Sequence, residues 1–233
     1  MLENIYTCGE YAAKHPTWHV EHSLWKAKQI IRMMAQNNIV PKTICEVGCG
    51  AGEILKQLQE NMDNQCTLWG YEISPQAFEL SKSRENEKLH FELADIRQEK
   101  DVVFDLILLI DIIEHLEDYF SFLREIKAKS RYKILHIPLD LTIPSALNDS
   151  MLVKDREVDG HIHHFTRKTA LQMLKYLGYE VIDNFYTDSY TTWAPEQYTL
   201  KHIKTPIRKL FYGIHRDLAV RVLGGWSLLV LAK

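Results

Sequence analysis

Short apolar runs alternate with longer amphipathic segments along most of the chain. The segment from His22 to Asn37 repeats apolar residues at helical spacing, whereas Phe104 to Ile110 is apolar throughout, which is typical of a strand covered on both faces. Patterns of these kinds predict strands at 43–47, 67–71, 89–93, 104–110, 132–137, 180–186 and 226–232. They predict helices at 22–37, 53–62, 75–84 and 116–126, and one more after Thr166.

This order of elements predicts the fold class. Strands that alternate with helices form a mostly parallel sheet with helices on both of its faces. We therefore expect one α/β, Rossmann-like domain over residues 1–233. Its core is predicted at 43–187 and 226–233, with an N-terminal helical segment at 1–40 and an insert at 188–225.

The loop after the first strand is the first candidate binding element. In TICEVGCGAGE, the glycines Gly48, Gly50 and Gly52 allow a sharp turn and a close approach of a ligand to the backbone. The third glycine comes one position too early for a dinucleotide fingerprint, and Glu53 would repel a phosphate at the helix N-terminus. Glu46 suits a cationic amino group. S-adenosylmethionine, a nucleoside without phosphates, fits this pattern.

Acidic residues follow the next strands, at the edge of the sheet where ligands of such folds bind. Glu72 is placed to accept the hydroxyls of a ribose, with Ile73 beside it. Asp95 is placed to accept from an adenine amino group while Ile96 packs on the ring. Asp111 ends the fourth strand. All of these are predicted to contact the cofactor.

The motifs EVGCGAGE, YE, LADI and FDLILLIDIIEHLED resemble those of the class I S-adenosylmethionine-dependent methyltransferases. Within that family, the chain resembles the branch of small-molecule and sugar O-methyltransferases. The resemblance implies a seven-stranded sheet whose last strand is antiparallel. It also implies that Glu46, Gly48 and Gly50 lie near the methionine part of the cofactor, and Asp111 beside the methyl group.

Histidines are the candidates for the acceptor side. His115 follows the fourth strand and is our first choice as the base that removes a proton from the acceptor, because imidazole titrates near neutral pH. His163 and Asp111 are the other predicted catalytic residues.

A metal ion is an alternative that we do not favour. Asp111, Glu114 and His115, with His161 or His163, offer carboxylates and imidazoles to a divalent ion. This set resembles the metal-binding pattern of small-RNA 3′-end 2′-O-methyltransferases. Aligning on Phe165 favours His163, whereas aligning on Thr166 favours His161.

The flanking segments are expected to select the acceptor. In the resembling family, an N-terminal helix often covers the acceptor pocket, and Trp18, His19 and Trp25 are therefore predicted to bind substrate together with His161. Residues 199–222 carry six Lys and Arg against one Asp and repeat apolar residues at helical spacing, which predicts a basic amphipathic helix. Such a helix docks on the core or binds an anionic partner, including transient contact with a membrane surface.

The composition narrows the expected binding partners and the expected cellular compartment. The net charge of −3 gives no general attraction to nucleic acid, so we consider a nucleic-acid partner unlikely. The four cysteines lack metal or redox spacing, and no apolar run reaches membrane length, so we expect a cytoplasmic protein without a signal peptide.

Taken together, these patterns predict O-methylation of a small or glycosidic acceptor, with or without a phosphate. The alternatives are a metal-dependent RNA 2′-O-methyltransferase and a non-catalytic subunit that binds the cofactor.

Overall fold

The computed structural model describes residues 3–62, 65–188 and 201–233. The strands are β1 (Thr43–Val47), β2 (Thr67–Glu72), β3 (Leu89–Leu93), β4 (Phe104–Ile110), β5 (Ser130–Pro138), β6 (Val181–Asp188) and β7 (Trp226–Ala232). The helices are α1 (Glu3–Thr7), α2 (Glu10–Lys14), α3 (Ser23–Gln36), α4 (Glu53–Asn61), α5 (Pro75–Lys82), α6 (Tyr119–Ile126), α7 (Ile143–Leu147), α8 (Ser150–Val158), α9 (Arg167–Tyr176), α10 (Lys201–Ile214) and α11 (Arg216–Leu223). Short 3₁₀ helices lie at Val20–His22, Ile96–Gln98 and Lys127–Lys129.

The seven strands form one sheet in the order β3-β2-β1-β4-β5-β7-β6. Strands β1 to β5 pair in parallel, and β7 runs antiparallel to both of its neighbours, β5 and β6. The predicted Rossmann-like sheet with an antiparallel last strand is therefore confirmed. The strand order reverses between β1 and β4, so a cleft opens at their carboxyl ends, where ligands of open α/β sheets bind.

Strand β4 lies at the centre of the sheet and explains why helices cover both faces. Its side chains alternate between two apolar clusters: Ile107 packs with α6 and α9 on one face, whereas Leu108 packs with α3 and α4 on the other. Both side chains are fully buried. The uninterrupted apolar run of β4 is thus required by burial on two sides.

The insert differs from its prediction. The structure has two helices, α10 and α11, where the pattern predicts one helix over 199–222. Helix α10 ends at Ile214, just before His215. The backbone of His215 is extended, and its ring nitrogen Nδ1 accepts a hydrogen bond from the Leu218 amide. His215 thereby starts a new helix, as N-terminal caps do. The predicted insert also includes residues 189–200, which lie outside the described residues.

Other boundaries move by a few residues. Helix α6 begins at Tyr119 and not at position 116, because the Asp118 side chain caps it by accepting from the Ser121 amide.

Among the described residues, no helix combines the length and the apolar character needed to cross a bilayer.

The glycine loop between β1 and α4 has a backbone that most residues avoid. Gly48 and Gly52 have φ angles of 65° and 75°, in the left-handed region. A Cβ atom on Gly52 would lie 2.4 Å from the Phe91 ring, which is buried in the core. The amides of Gly48 and Cys49 both donate to the Tyr71 carbonyl and tie the loop to β2. Glycine is therefore the residue that fits at positions 48 and 52 of this loop.

We predict that Gly52→Ala lowers the free energy of unfolding by about 2–4 kcal/mol, because it adds left-handed strain to a clash with Phe91. Gly213→Ala is the matched control, since Gly213 lies in α10 and its Cβ would meet nothing within 4 Å. That control should stabilise the protein by about 0.5–1 kcal/mol. Urea unfolding measures both, and equal stabilities would contradict the packing described for the loop.

Candidate functional site

A cavity of about 620 Å³ opens at the carboxyl ends of β1, β2 and β4. Its floor includes Glu46, Glu72 and Asp111. Its other walls come from the glycine loop, from the N-terminal helices and from the segment around His161. The sheet topology and the N-terminal segment together make this enclosure.

Glu72 fixes the glycine loop by accepting hydrogen bonds from backbone amides. Its Oε2 accepts a hydrogen bond from the Gly50 amide at 2.8 Å, and its Oε1 accepts from the amides of Ile73 and Ser74, each at 2.8 Å. Burial raises the pKa of Glu72, and these three amides oppose the rise. A carboxylate offers about four acceptor positions, so about one remains for a ligand.

Glu46 is a buried carboxyl that needs a partner. Its side chain lines the cavity, and its Oε2 has no hydrogen-bond partner among the described residues. Burial raises the pKa of Glu46 to about 8, and the charge of Lys26 opposes that rise. A cationic group of a ligand in the cavity would satisfy this carboxyl.

Asp111 is held by an ionic chain at the end of β4. Lys26 Nζ of α3 lies 2.7 Å from its Oδ2, and His136 Nδ1 of β5 lies 2.5 Å from its Oδ1. His136 Nε2 contacts the Thr187 hydroxyl of β6 at 2.9 Å. Burial opposes ionisation, but His136 and Lys26 outweigh it and hold the pKa of Asp111 well below its ordinary value. The φ of Asp111 is 53°, a left-handed conformation that these contacts maintain.

The adenine prediction requires a correction. Ile96 has 0% exposure and packs in the core, because the 3₁₀ helix after β3 turns its side chain inward. The Ile96 side chain therefore does not line the cavity. Asp95 is also absent from its lining and forms a paired contact with the Arg97 guanidinium, with Nη2 to Oδ2 at 2.6 Å. Arg97 itself lines the cavity.

His115 lies at the other end of the cavity. Its Nδ1 is 3.0 Å from the Tyr6 hydroxyl and 3.2 Å from the Gly160 carbonyl oxygen. Burial, aided by the nearby charge of His161, lowers the pKa of His115 to about 4. Since a general base works best near the operating pH, His115 is a weaker base than its sequence position suggests.

His161 also lines this end of the cavity, whereas Glu114 lies near it but outside the lining. His161 Nδ1 contacts Asp140 Oδ2 at 2.8 Å, and its ring centroid is 4.9 Å from that of His115. Burial opposes protonation, yet Asp140 and Glu114 raise the pKa of His161 to about 9. Glu114 is fully buried, and burial together with the charge of Asp111 raises its pKa well above the ordinary range.

The structure separates the predicted metal set. His163 faces away from this cluster: its Nε2 donates a hydrogen bond to the Leu116 carbonyl oxygen at 2.9 Å. The two carboxylate oxygens of Asp111 already contact Lys26 and His136. The residues that converge are Glu114, His115 and His161. The histidine near Glu114 and His115 is thus the one that the alignment on Thr166 selects.

The N-terminal segment contributes more of the cavity wall than predicted. Trp18 and His19 line the cavity, and so do Tyr6 and Tyr11. Trp25 does not line it and lies edge-on to His136.

Several cavity residues escaped the sequence reasoning. Asp140 lies two residues after β5, so the rule that selected Asp111 also selects it. Tyr6 comes from a helix far from the core motifs, and no local pattern marks it.

Residues 19–184 match the family described as methyltransferase domain. The chain belongs to this family.

A curated relative with a matching segment is norajmaline N-methyltransferase of Rauvolfia serpentina. It is 32% identical over 92 residues, which cover 36% of this chain and 31% of that protein. The match thus spans less than a third of the relative's length.

Solved structures share the fold of this methyltransferase domain. A SAM-dependent methyltransferase from Archaeoglobus fulgidus has a TM-score of 0.58 at 16% identity, with 89% of this chain and 94% of that chain covered. The magnesium protoporphyrin IX methyltransferase of Synechocystis, with bound SAH, has a TM-score of 0.57 at 14% identity. That comparison covers 90% of this chain and 81% of the other. At such identities the likeness concerns the fold.

We predict that Lys26→Met destabilises the methyltransferase domain by about 1–3 kcal/mol, because it leaves the Asp111 carboxylate short of a buried partner. The two side chains are only 12% and 20% exposed, so solvent replaces the lysine poorly. Lys28→Met on the exposed side of the same helix is the control and should change little. Chemical denaturation measures both variants, and an unaffected Lys26→Met protein would contradict the ionic chain.

Proposed function

We propose that this methyltransferase domain binds S-adenosylmethionine and transfers its methyl group to an oxygen of a small-molecule acceptor, including glycosidic ones. The observation that carries the proposal is that one cavity joins the glycine loop to the histidine cluster. Its volume lies within the roughly 300–1,000 Å³ typical of small-ligand pockets. An open cavity beside Asp111 also argues against a non-catalytic subunit.

The charge of the cavity favours this cofactor. Among the described lining residues, eight carboxyl side chains face two from lysine or arginine. The carboxyls are Glu46, Glu53, Glu72, Asp111, Glu117, Asp118, Asp140 and Asp159, and the cations are Lys26 and Arg97. S-adenosylmethionine carries a sulfonium and an ammonium against one carboxylate, so an acidic cavity attracts it. The same charge disfavours RNA and phosphate-bearing acceptors.

Two carboxyls suit the two ends of the cofactor. We assign the ammonium group to Glu46, which is buried without a hydrogen-bond partner for one of its oxygens, and a ribose hydroxyl to the remaining acceptor position of Glu72. Lys26 lines the cavity beside Asp111 and suits the carboxylate of the methionyl part. When it is bound, S-adenosylmethionine supplies an already activated methyl group. The protein's own task is alignment and the exclusion of water.

The polar cluster at the far end suits a hydroxyl acceptor. His115 and His161 both line the cavity, under the roof made by Tyr6 and Tyr11. Their ring nitrogens offer hydrogen-bond partners to an acceptor oxygen, which needs such help because a neutral hydroxyl is a poor nucleophile. The aromatic roof suits the faces of a ring or sugar.

We predict that the affinity for S-adenosylmethionine rises about tenfold or more between pH 6 and pH 7.5. The Glu46 carboxyl, with its pKa near 8, must lose its proton to pair with the ammonium group. The ligand's own α-amino group stays charged in this range, because its pKa is about 8. Calorimetric titration at each pH measures the effect.

Glu46→Gln is the critical variant for this prediction. It should bind more weakly at pH 7.5 and show no rise with pH. Glu79→Gln, on the exposed surface of α5, is the matched control and should follow the wild type. A pH dependence that persists in Glu46→Gln would remove the ammonium assignment.

We predict that His115→Ala loses methyl transfer and keeps its affinity for the cofactor within about threefold, since the ring lies at the acceptor end. Transfer is measured with labelled S-adenosylmethionine and a panel of phenols, catechols and glycosides. His90→Ala, on β3 and outside the cavity lining, is the control. A fully active His115→Ala enzyme would exclude the acceptor role.

A further inference from the structure

Helix α10 is held in place by polar and aromatic contacts. The Arg208 guanidinium donates to the carbonyl oxygens of Leu223 and Gly224, at 3.2 and 2.7 Å. It also lies over the Trp226 ring, 3.9 Å from its centroid. Tyr212, one turn further along the helix, stacks on the same ring with the two planes 8° apart. An arginine and a tyrosine therefore hold α10 against the end of α11 and the start of β7.

The aliphatic side chains of α10 lie on another face of the helix. Ile207, Leu210 and Ile214 follow one another at helical spacing and are 60%, 68% and 74% exposed. We call these three residues the α10 apolar row. A helix that packs on a core ordinarily buries its aliphatic stripe and exposes its charges. Here the arginine is buried and the aliphatic stripe is exposed, so packing within the domain does not explain the row.

The exposed charges of these two helices are mainly positive. Lys209, Arg216 and Arg221 are all exposed. Between positions 205 and 223 the sequence has a single acidic residue, Asp217, which accepts a hydrogen bond from the Tyr186 hydroxyl at 2.5 Å. The chain as a whole has a net charge of −3, so the positive charge of α10 and α11 is a local property.

We propose that α10 and α11 bind the surface of an anionic lipid bilayer. The α10 apolar row enters the boundary between headgroups and acyl chains, and the exposed cations contact the headgroups. Helices that lie in a membrane interface combine these two features, an apolar row and a polar face rich in Lys and Arg. Anionic lipids attract each cation near the surface, and the long side chains of Lys and Arg reach the headgroups from a helix that lies in the interface.

A bilayer surface suits this face better than a second copy of the chain or a nucleic acid does. In a two-fold dimer through α10 and α11, the basic helices of both copies would meet and repel each other. Three aliphatic side chains are also few for a stable protein interface, which buries about 800 Å² on each partner. A nucleic acid would pair with the cations through its phosphates but would leave the α10 apolar row without an apolar partner.

The proposed membrane contact adjoins the cavity. Trp226, on which both Arg208 and Tyr212 of α10 stack, also lines the cavity. The bilayer contact would therefore bring the cavity close to the membrane surface. Binding to the bilayer does not depend on the proposed function, because it requires neither a methyl donor nor an acceptor.

The test is co-sedimentation of the full chain with vesicles, without S-adenosylmethionine. One set of vesicles contains phosphatidylcholine and phosphatidylglycerol in a ratio of about 3 to 1, and the other contains phosphatidylcholine alone. We expect the partition coefficient to be about tenfold or more higher for the anionic vesicles. It should fall when the salt concentration rises from about 0.1 M to about 0.5 M, because salt screens the exposed cations.

Two double variants separate the apolar and the charged contributions. Leu210→Gln with Ile214→Gln should lower the partition coefficient for the anionic vesicles about tenfold or more, because it removes most of the buried apolar area. Lys209→Gln with Arg216→Gln should reduce the preference for phosphatidylglycerol by a similar factor.

Val40→Gln with Val103→Gln is the matched control. These two valines are also exposed, but they lie just before β1 and β4, at the opposite edge of the sheet from the cavity. The control should bind vesicles like the wild type. Circular dichroism and urea midpoints check that each variant is folded.

Four results would overturn the proposal. They are equal binding to both kinds of vesicle, unchanged binding after the Leu210 and Ile214 substitutions, lost binding in the folded control, and a dimer in light scattering that the Leu210 and Ile214 substitutions dissociate. The last result would assign the α10 apolar row to a second copy of the chain. Titration with S-adenosylmethionine tests the proposed function separately, and the Leu210 and Ile214 variant should bind that cofactor like the wild type.

Discussion

The ion pair between Lys26 and Asp111 is the contact on which the site depends. Asp111 ends the central strand in a left-handed conformation, at the point where the sheet opens. Lys26 brings the N-terminal helix α3 onto that strand end, and His136 and Thr187 extend the contact to β5 and β6. A cavity lined by so many carboxyls requires compensation of its charge, and Lys26 provides part of it at Asp111.

The cavity has two chemically different ends. At one end, backbone amides of the glycine loop are held by Glu72, and the Glu46 carboxyl keeps an unsatisfied oxygen. At the other end, the imidazoles of His115 and His161 line the cavity together with Tyr6 and Tyr11. The first end suits a cation that carries a nucleoside, and the second suits an acceptor oxygen held by hydrogen bonds. Methyl transfer needs both within one enclosure, because alignment of donor and acceptor is most of the catalytic task.

Much of the fold followed from the sequence because burial on two faces leaves a clear pattern. The apolar run of β4 and the alternation of strands and helices predicted all seven strands to within two residues. The break at His215 did not follow, because the apolar residues keep helical spacing across it. There a side-chain cap, which overrides the spacing, decides the structure.

The site was only partly predictable. Strand ends are fixed by sheet topology, so Glu46, Glu72 and Asp111 could be placed at the cavity from sequence alone. The direction of a side chain in a turn is not fixed in this way, and Ile96 points into the core. The choice between His161 and His163 depends on the path of the chain after α8, which spacing does not reveal.

The most direct test of the account is a crystal structure with S-adenosylhomocysteine. The account predicts the ligand's ammonium at Glu46, its ribose at Glu72 and its sulfur directed toward His115 and His161. A sulfur atom directed away from that cluster, or a ligand bound outside the cavity, would contradict the account.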